Sequence, residues 1–233
     1  MSELNRSSQI ALPLTFDNQF SVDNFYAKDA DFISQTIRTF IEGSGESLIG
    51  LWGGQDCGKT HLLNACARLA GQQGISFQLF NAEQLCDVEP AFFSDLAEDS
   101  LVGVDNIDLI AGHKGWEEKF YQLVNLAKNS HLRFMFTMTR KPQAVSFKLP
   151  DLKSRLLWGL LIHLPTATEE ELKDILQYRA QKLGLQLGPD VIFYVLQHYS
   201  RRLSDLMELL SKLDRVSLST QRKITIPLLK AYC

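Results

Sequence analysis

The run Gly53-Gly54-Gln55-Asp56-Cys57-Gly58-Lys59-Thr60 fits G-x-x-x-x-G-K-[ST], a loop whose backbone N–H groups cradle phosphate. Its surroundings fit as well. Leu48-Ile49-Gly50-Leu51-Trp52 is an apolar run of strand length before it, and Leu62, Leu63, Cys66, Leu69 and Ala70 follow at helical spacing. That order has a physical reason. A buried strand delivers the chain to a fixed point, glycines let the backbone wrap an anion, and a helix N-terminus aims free N–H groups at it. Lys59 would neutralise terminal phosphates and Thr60 would hold Mg²⁺. The alternative is a plain glycine turn between strand and helix; motif and context together favour a nucleotide site.

A chain of 233 residues has room for one α/β core and a small second domain. At 45% hydrophobic and 22% charged it has the composition of a globular protein, not of a disordered one. The net charge of −3 argues against wholesale electrostatic capture of nucleic acid, although local basic patches remain open. No apolar run has the length of a membrane span, and Met1 to Arg6 is polar, unlike a secretory leader. A cytoplasmic location with reduced thiols is therefore expected. Cys57, Cys66, Cys86 and Cys233 show no C-x-x-C pairing or zinc spacing. Cys57, at a helix N-terminus, is a candidate redox-sensitive thiol, the simpler reading being a small residue tolerated in the loop.

Along the chain, Gln9-Ile10-Ala11-Leu12-Pro13-Leu14 is apolar, and Pro13 bars it from a helix interior or a central strand. Two readings stay open: an arm folded back on the core, or a linear motif docking its leucines into a partner's groove. The aromatic stretch Phe20 to Tyr26 precedes an amphipathic helix over Ala30 to Ile41, ended by Gly43-Ser44-Gly45. Further strands are expected at Ile75–Phe80, Leu101 onward, Arg133–Thr137 and Leu160–Leu164. Helices are expected through Phe92, Phe93 and Leu96, over Trp116–Asn129 and over Asp151–Leu156. His163 reads as a satisfied core histidine.

Leu101-Val102-Gly103-Val104-Asp105 is an apolar run ending in an acid, which suits a carboxylate reaching Mg²⁺ from a strand's end. In most ATPases of this type a second acid follows and polarises the attacking water. Here that place holds Asn106, an amide that cannot act as a base. Asp108 lies two residues on. Thr139 and Arg140 fall just past the fourth strand, where a parallel sheet puts its ligand-facing loops.

After Pro165 the pattern is helical. Thr168 to Glu171 forms a capping box for a helix closed by Gly184, and Pro189 sits in the first turn of the next. Arg201 and Arg202 read as the first turn of a third helix, against its dipole. They are either solvated surface arginines or one is folded onto a bound phosphate. The expected division is an arm over residues 1–19, an α/β nucleotide-binding domain over 20–165 and a helical lid over 166–233.

With these pieces placed, the chain resembles AAA+ proteins of the DnaA group. Gly53 to Leu63 is similar to that group's P-loop, so Gly53, Gly54, Gln55, Asp56, Cys57, Gly58, Lys59, Thr60 and His61 are its nucleotide-binding segment. Phe20 to Phe25 resembles the group's adenine-side box, which brings in Asn24 and Phe25. Leu152 to Gly159 resembles the box that carries an arginine finger, which puts Arg155 in that role, acting in trans. Arg201-Arg202-Leu203 resembles sensor 2, with Arg201 as the sensor arginine, and sensor 1 falls at Thr139. Metal binding falls to Thr60 and Asp105.

Three features resemble a regulatory branch of the group. Gln9, Ile10, Leu12, Pro13 and Leu14 are similar to a motif that binds the replication sliding clamp; no helix-turn-helix domain follows the lid; and Asn106 replaces the second acid. The resemblance implies a five-stranded parallel sheet with helices on both faces and a helical lid, with ADP or ATP and Mg²⁺ as cofactors. It implies a negative regulator of replication initiation that binds the clamp and promotes hydrolysis of DnaA's ATP, with weak hydrolysis of its own. Assembly into a homo-oligomer is left open, and no membrane partner is expected. The alternatives are a motor of the helicase or clamp-loader kind that turns over its own ATP, and an adaptor recruiting DnaA to DNA.

Overall fold

In the computed structural model, residues 20–91, 100–220 and 223–232 are described, so the Gln9–Leu14 segment and Phe92, Phe93 and Leu96 lie outside them. A short 3-10 turn over Val22–Asn24 leads into α1 (Ala30–Glu42), then β1 (Leu48–Trp52) and α2 (Lys59–Gln72). Next come β2 (Phe77–Asn81), α3 (Ala82–Leu85), β3 (Leu101–Asp105) and α4 (Lys114–Asn129). The core ends with β4 (Arg133–Met138), α5 (Pro150–Leu156) and β5 (Leu160–His163). The strands pair in the order β2-β3-β4-β1-β5, and every pairing is parallel.

The apolar runs form strands because both faces of this sheet are covered, as side-chain alternation shows. Val102, Val104, Phe134 and Phe136 enter one core with Phe120, Leu123 and Leu152. Leu101, Met135, Ile49 and Leu51 enter another with Ile37, Phe40, Leu62 and Leu63. At Gly50 a Cβ would lie 2.5 Å from both Leu161 and Phe136, so only glycine lets β1 sit between its neighbours. This places the P-loop at the C-terminal end of the sheet. The same end is braced by Glu117, a fully buried carboxylate in the first turn of α4. It accepts N–H bonds from Gly112 (2.7 Å), Lys148 (3.0 Å) and Leu149 (2.6 Å), tying α4 to the residues that open α5.

The lid is α6 (Glu169–Lys182), α7 (Pro189–His198), α8 (Leu203–Thr220) and α9 (Ile226–Tyr232), packed around Leu176, Val195, Leu206, Leu213 and Leu229. Thr168 and Glu171 form the expected capping box, Gly184 takes φ 73°, and Pro189 opens α7. One expectation changes. Arg201 and Arg202 precede α8, which starts at Leu203, so neither opposes its dipole from inside the first turn. β3 stops at Asp105, the acid that ends its apolar run, because Asn106 turns into the left-handed region (φ 58°) and the chain continues as a 3-10 turn over Ile107–Ile110.

Candidate functional site

An open cleft of about 1980 Å³ runs between the C-terminal end of the sheet and the lid. Gln55, Asp56, Cys57, Gly58, Lys59, Thr60 and His61 form its floor. The loop's shape follows from local sterics. Gly58 takes φ 93°, and a Cβ there would meet the Phe25 ring at 2.7 Å. A Cβ on Gly53 would stand 2.1 Å from the Leu164 carbonyl oxygen. The first glycine thus lets the loop pass under the strand-to-lid connection, and the second lets Phe25 close over the helix start. Lys59 is buried, and its Nζ donates to the carbonyls of Gly53, at 2.9 Å, and Gly54.

Beside the loop, Thr60 Oγ1 donates to Asp105 Oδ2 at 2.7 Å, and the other Asp105 oxygen accepts the Thr137 hydroxyl. Two hard oxygen donors therefore meet where α2 faces the end of β3. This pair fits Mg²⁺, which binds oxygen ligands and keeps much of its hydration shell. Asn106 lines the cleft, and its N–H bonds Thr137 Oγ1 at 2.8 Å. Thr139 lines it too, with its hydroxyl and its N–H both directed to the Asp108 carboxylate.

On the other wall lie Asn24 and Phe25, close to His61. The His61 ring is 5.5 Å from Phe20 and 6.1 Å from Phe25, and Nε2 lies 3.0 Å from the Ser21 carbonyl. Burial holds its pKa down to about 4; the Ser21 carbonyl works against that shift and the Arg179 charge adds to it. The lid closes this side through Tyr26, whose hydroxyl donates to Asp174 at 3.2 Å, and through Tyr178, which bonds the Asp23 carbonyl.

The two arginines before α8 part company. Arg201 pairs with Glu169 at 3.0 Å, inside the lid, and does not line the cleft. Arg202 does line it and reaches the P-loop itself, with Nε 3.1 Å from Asp56. Of the two arginines, the structure thus brings Arg202 to the cleft and leaves Arg201, where the resemblance put the sensor, outside its lining. His163 is another change. It is exposed at the end of β5, stacks on Trp52 at 4.0 Å and lines the cleft, so it is not a core residue. Its place at the C-terminal end of a parallel strand was the available signal. Nothing in the sequence pattern pointed to Arg179 or to the Tyr26–Asp174 contact.

Arg155 lies elsewhere. Its guanidinium stands 3.6 Å over the Trp158 ring and 5.5 Å from that of Tyr121. Among the described residues it forms no ion pair with Asp151. The turn that follows it reaches Gly159, beside Leu48 at the start of β1. Arg155 therefore occupies the end of the sheet opposite the P-loop, roughly 15 Å of strand away.

A parallel sheet in this order, a P-loop after β1, an acid ending β3 and a helical lid over the cleft define an AAA+ protein. Residues 16–163, more than half of the chain, match the family model for the bacterial DnaA ATPase domain, and residues 169–232 match that of the Hda lid domain. The chain belongs to the bacterial DnaA ATPase-domain family, as a DnaA-related AAA+ protein of the Hda-like kind.

Among solved structures it is similar to domain III of the Thermotoga maritima replication initiation protein DnaA (TM-score 0.72, 19% identity, 93% of this chain and 98% of that one). It is also similar to AMPPCP-bound DnaA from Aquifex aeolicus (0.72, 18%, 89% and 69%). The Thermotoga maritima RuvB Holliday junction branch migration motor follows (0.65, 16%, 91% and 70%). At these identities the likeness is one of fold.

Proposed function

We propose that this chain regulates replication initiation by acting on DnaA. It holds a nucleotide, ADP in the active form, with Mg²⁺ between P-loop and lid. It docks on the replication sliding clamp through Gln9, Ile10, Leu12, Pro13 and Leu14. From the clamp it presents Arg155 to the ATP of a DnaA molecule and promotes hydrolysis there, leaving DnaA in its ADP state. Support for nucleotide binding comes from the Lys59, Thr60 and Asp105 arrangement and from the AMPPCP-bound DnaA neighbour. With Asn106 where a second acid would stand, the bound nucleotide serves as a structural ligand more than as a fuel.

The observation that carries the reading is the position of Arg155. A guanidinium at the pole opposite its own P-loop stands away from its own cleft, which supports the reading that it acts in a neighbour's. There it would stabilise charge developing on the transferred phosphoryl oxygens, an effect worth roughly 10³–10⁵ in rate for arginine fingers. The test is ATP hydrolysis by DnaA on clamp-loaded DNA. Arg155→Ala should fold, bind ADP and bind the clamp, yet give no stimulation. Normal stimulation by this variant would make Arg155 a surface residue and end the proposal.

A further inference from the structure

The left-handed turn at Asn106 throws Asp108 across to the tip of β4. There its carboxylate accepts the Thr139 N–H at 3.2 Å and also the Thr139 hydroxyl proton. Thr139 directly follows Met138, whose carbonyl accepts the N–H of Gly53, the first glycine of the P-loop, at 3.2 Å. The Asp108–Thr139 pair therefore abuts the phosphate loop, and Thr139 shares the cleft wall with Lys59, Thr60 and Asn106.

P-loop amides cradle the first two phosphoryl groups of a nucleotide. A third extends past them, toward the tips of β3 and β4. At that place a hydroxyl that could donate to a phosphoryl oxygen has its proton on Asp108 instead, so it offers the cleft only lone pairs. Behind it stands a carboxylate of the same sign as the phosphate. Asn106, beside them, brings no charge to offset it.

We infer that Asp108, acting through Thr139, is a specificity-determining residue that makes this cleft prefer a nucleoside diphosphate to a triphosphate. The inference rests on the reading of the cleft as a nucleotide site. It gives the preference a physical cause: acceptor facing acceptor, and like charge facing like, only where a third phosphoryl group would lie.

The experiment is a calorimetric titration of the full chain, at fixed Mg²⁺, with ADP and with β,γ-methylene ATP. Wild type, Asp108→Asn and Asp108→Ala are compared, with Lys59→Ala as the control for the phosphate loop. Wild type should bind ADP about tenfold more tightly than the analogue, a size suited to a like charge a few ångströms away in a partly solvated site. Both Asp108 variants should keep ADP affinity, which also reports that they fold, and should gain most of that factor for the analogue. Equal wild-type affinities, or variants with an unchanged ratio, overturn the inference and leave the nucleotide site standing. An unchanged ratio accompanied by loss of slow ATP hydrolysis would make Asp108 a general base, which also overturns it. If wild type binds neither nucleotide, as Lys59→Ala should not, the nucleotide reading falls and takes the inference with it.

Discussion

His61 shows how a single side chain ties the site to the pH of its surroundings. It is neutral in the folded protein because burial among Phe20, Phe25 and the P-loop helix lowers its pKa from 6.5 to about 4. In the unfolded chain the imidazole takes up a proton near the ordinary value. Between those two values the unfolded state binds more protons, so acid favours unfolding. The contribution of His61 is thus complete above about pH 6.5 and is lost as pH falls toward 4, at up to ~1.4 kcal/mol per pH unit. His61→Asn keeps a donor for the Ser21 carbonyl and removes the titration. Urea midpoints of the two proteins should converge on acidification from neutral pH toward pH 5, and parallel curves would show that His61 does not titrate this way. The residue was legible in the sequence only as the neighbour of Thr60. Its burial comes from Ser21 and Phe25, which lie far from it along the chain.

At the level of elements, the start of α8 meets the P-loop through Arg202 and Asp56, while Arg201 turns back to Glu169 on α6. Arg202→Ala should weaken ADP binding by about an order of magnitude, since it removes a guanidinium that faces the phosphate loop. Arg201→Ala should leave ADP affinity near wild type. Fluorescence titration with a labelled ADP separates the two, and the reverse ranking would return the sensor role to Arg201. The strands were legible because each is an apolar run buried on both faces, and the lid helices because Thr168, Gly184 and Pro189 mark their ends. The two arginines were legible only as a pair. Adjacent residues outside a helix point in different directions, and sequence spacing does not say which of them faces a loop 146 residues away. The place of Asp108 was not legible for a related reason: one non-glycine residue in the left-handed region, Asn106, redirects the chain beyond β3. His163 was misjudged because its neighbours Ile162 and Leu164 are buried, whereas β5 is an edge strand and its last residue opens to the cleft.

For the whole molecule, the proposed function needs attachment and reach together. Leu12 and Leu14 are expected to anchor the clamp motif, and truncating a buried anchor at an interface typically costs about 2 kcal/mol or more. A Leu12→Ala/Leu14→Ala chain should lose clamp binding in a pull-down while its ADP affinity is unchanged. Retention of the clamp by this variant would return Gln9–Leu14 to the reading of an arm folded on the core. The placement of Arg155 has one more consequence. With the cleft at one pole of the sheet and the guanidinium at the other, the molecule resembles a brick with a stud on its underside and a socket on top. A join of stud to socket buries different residues on its two sides, so it is heterologous and cannot be closed by a twofold axis. Each such join leaves one free stud and one free socket at the ends of the stack. Assembly by this contact therefore has a direction. Under the proposed function, the order in which this chain and a DnaA molecule stack would decide which of them offers its nucleotide and which lends its arginine.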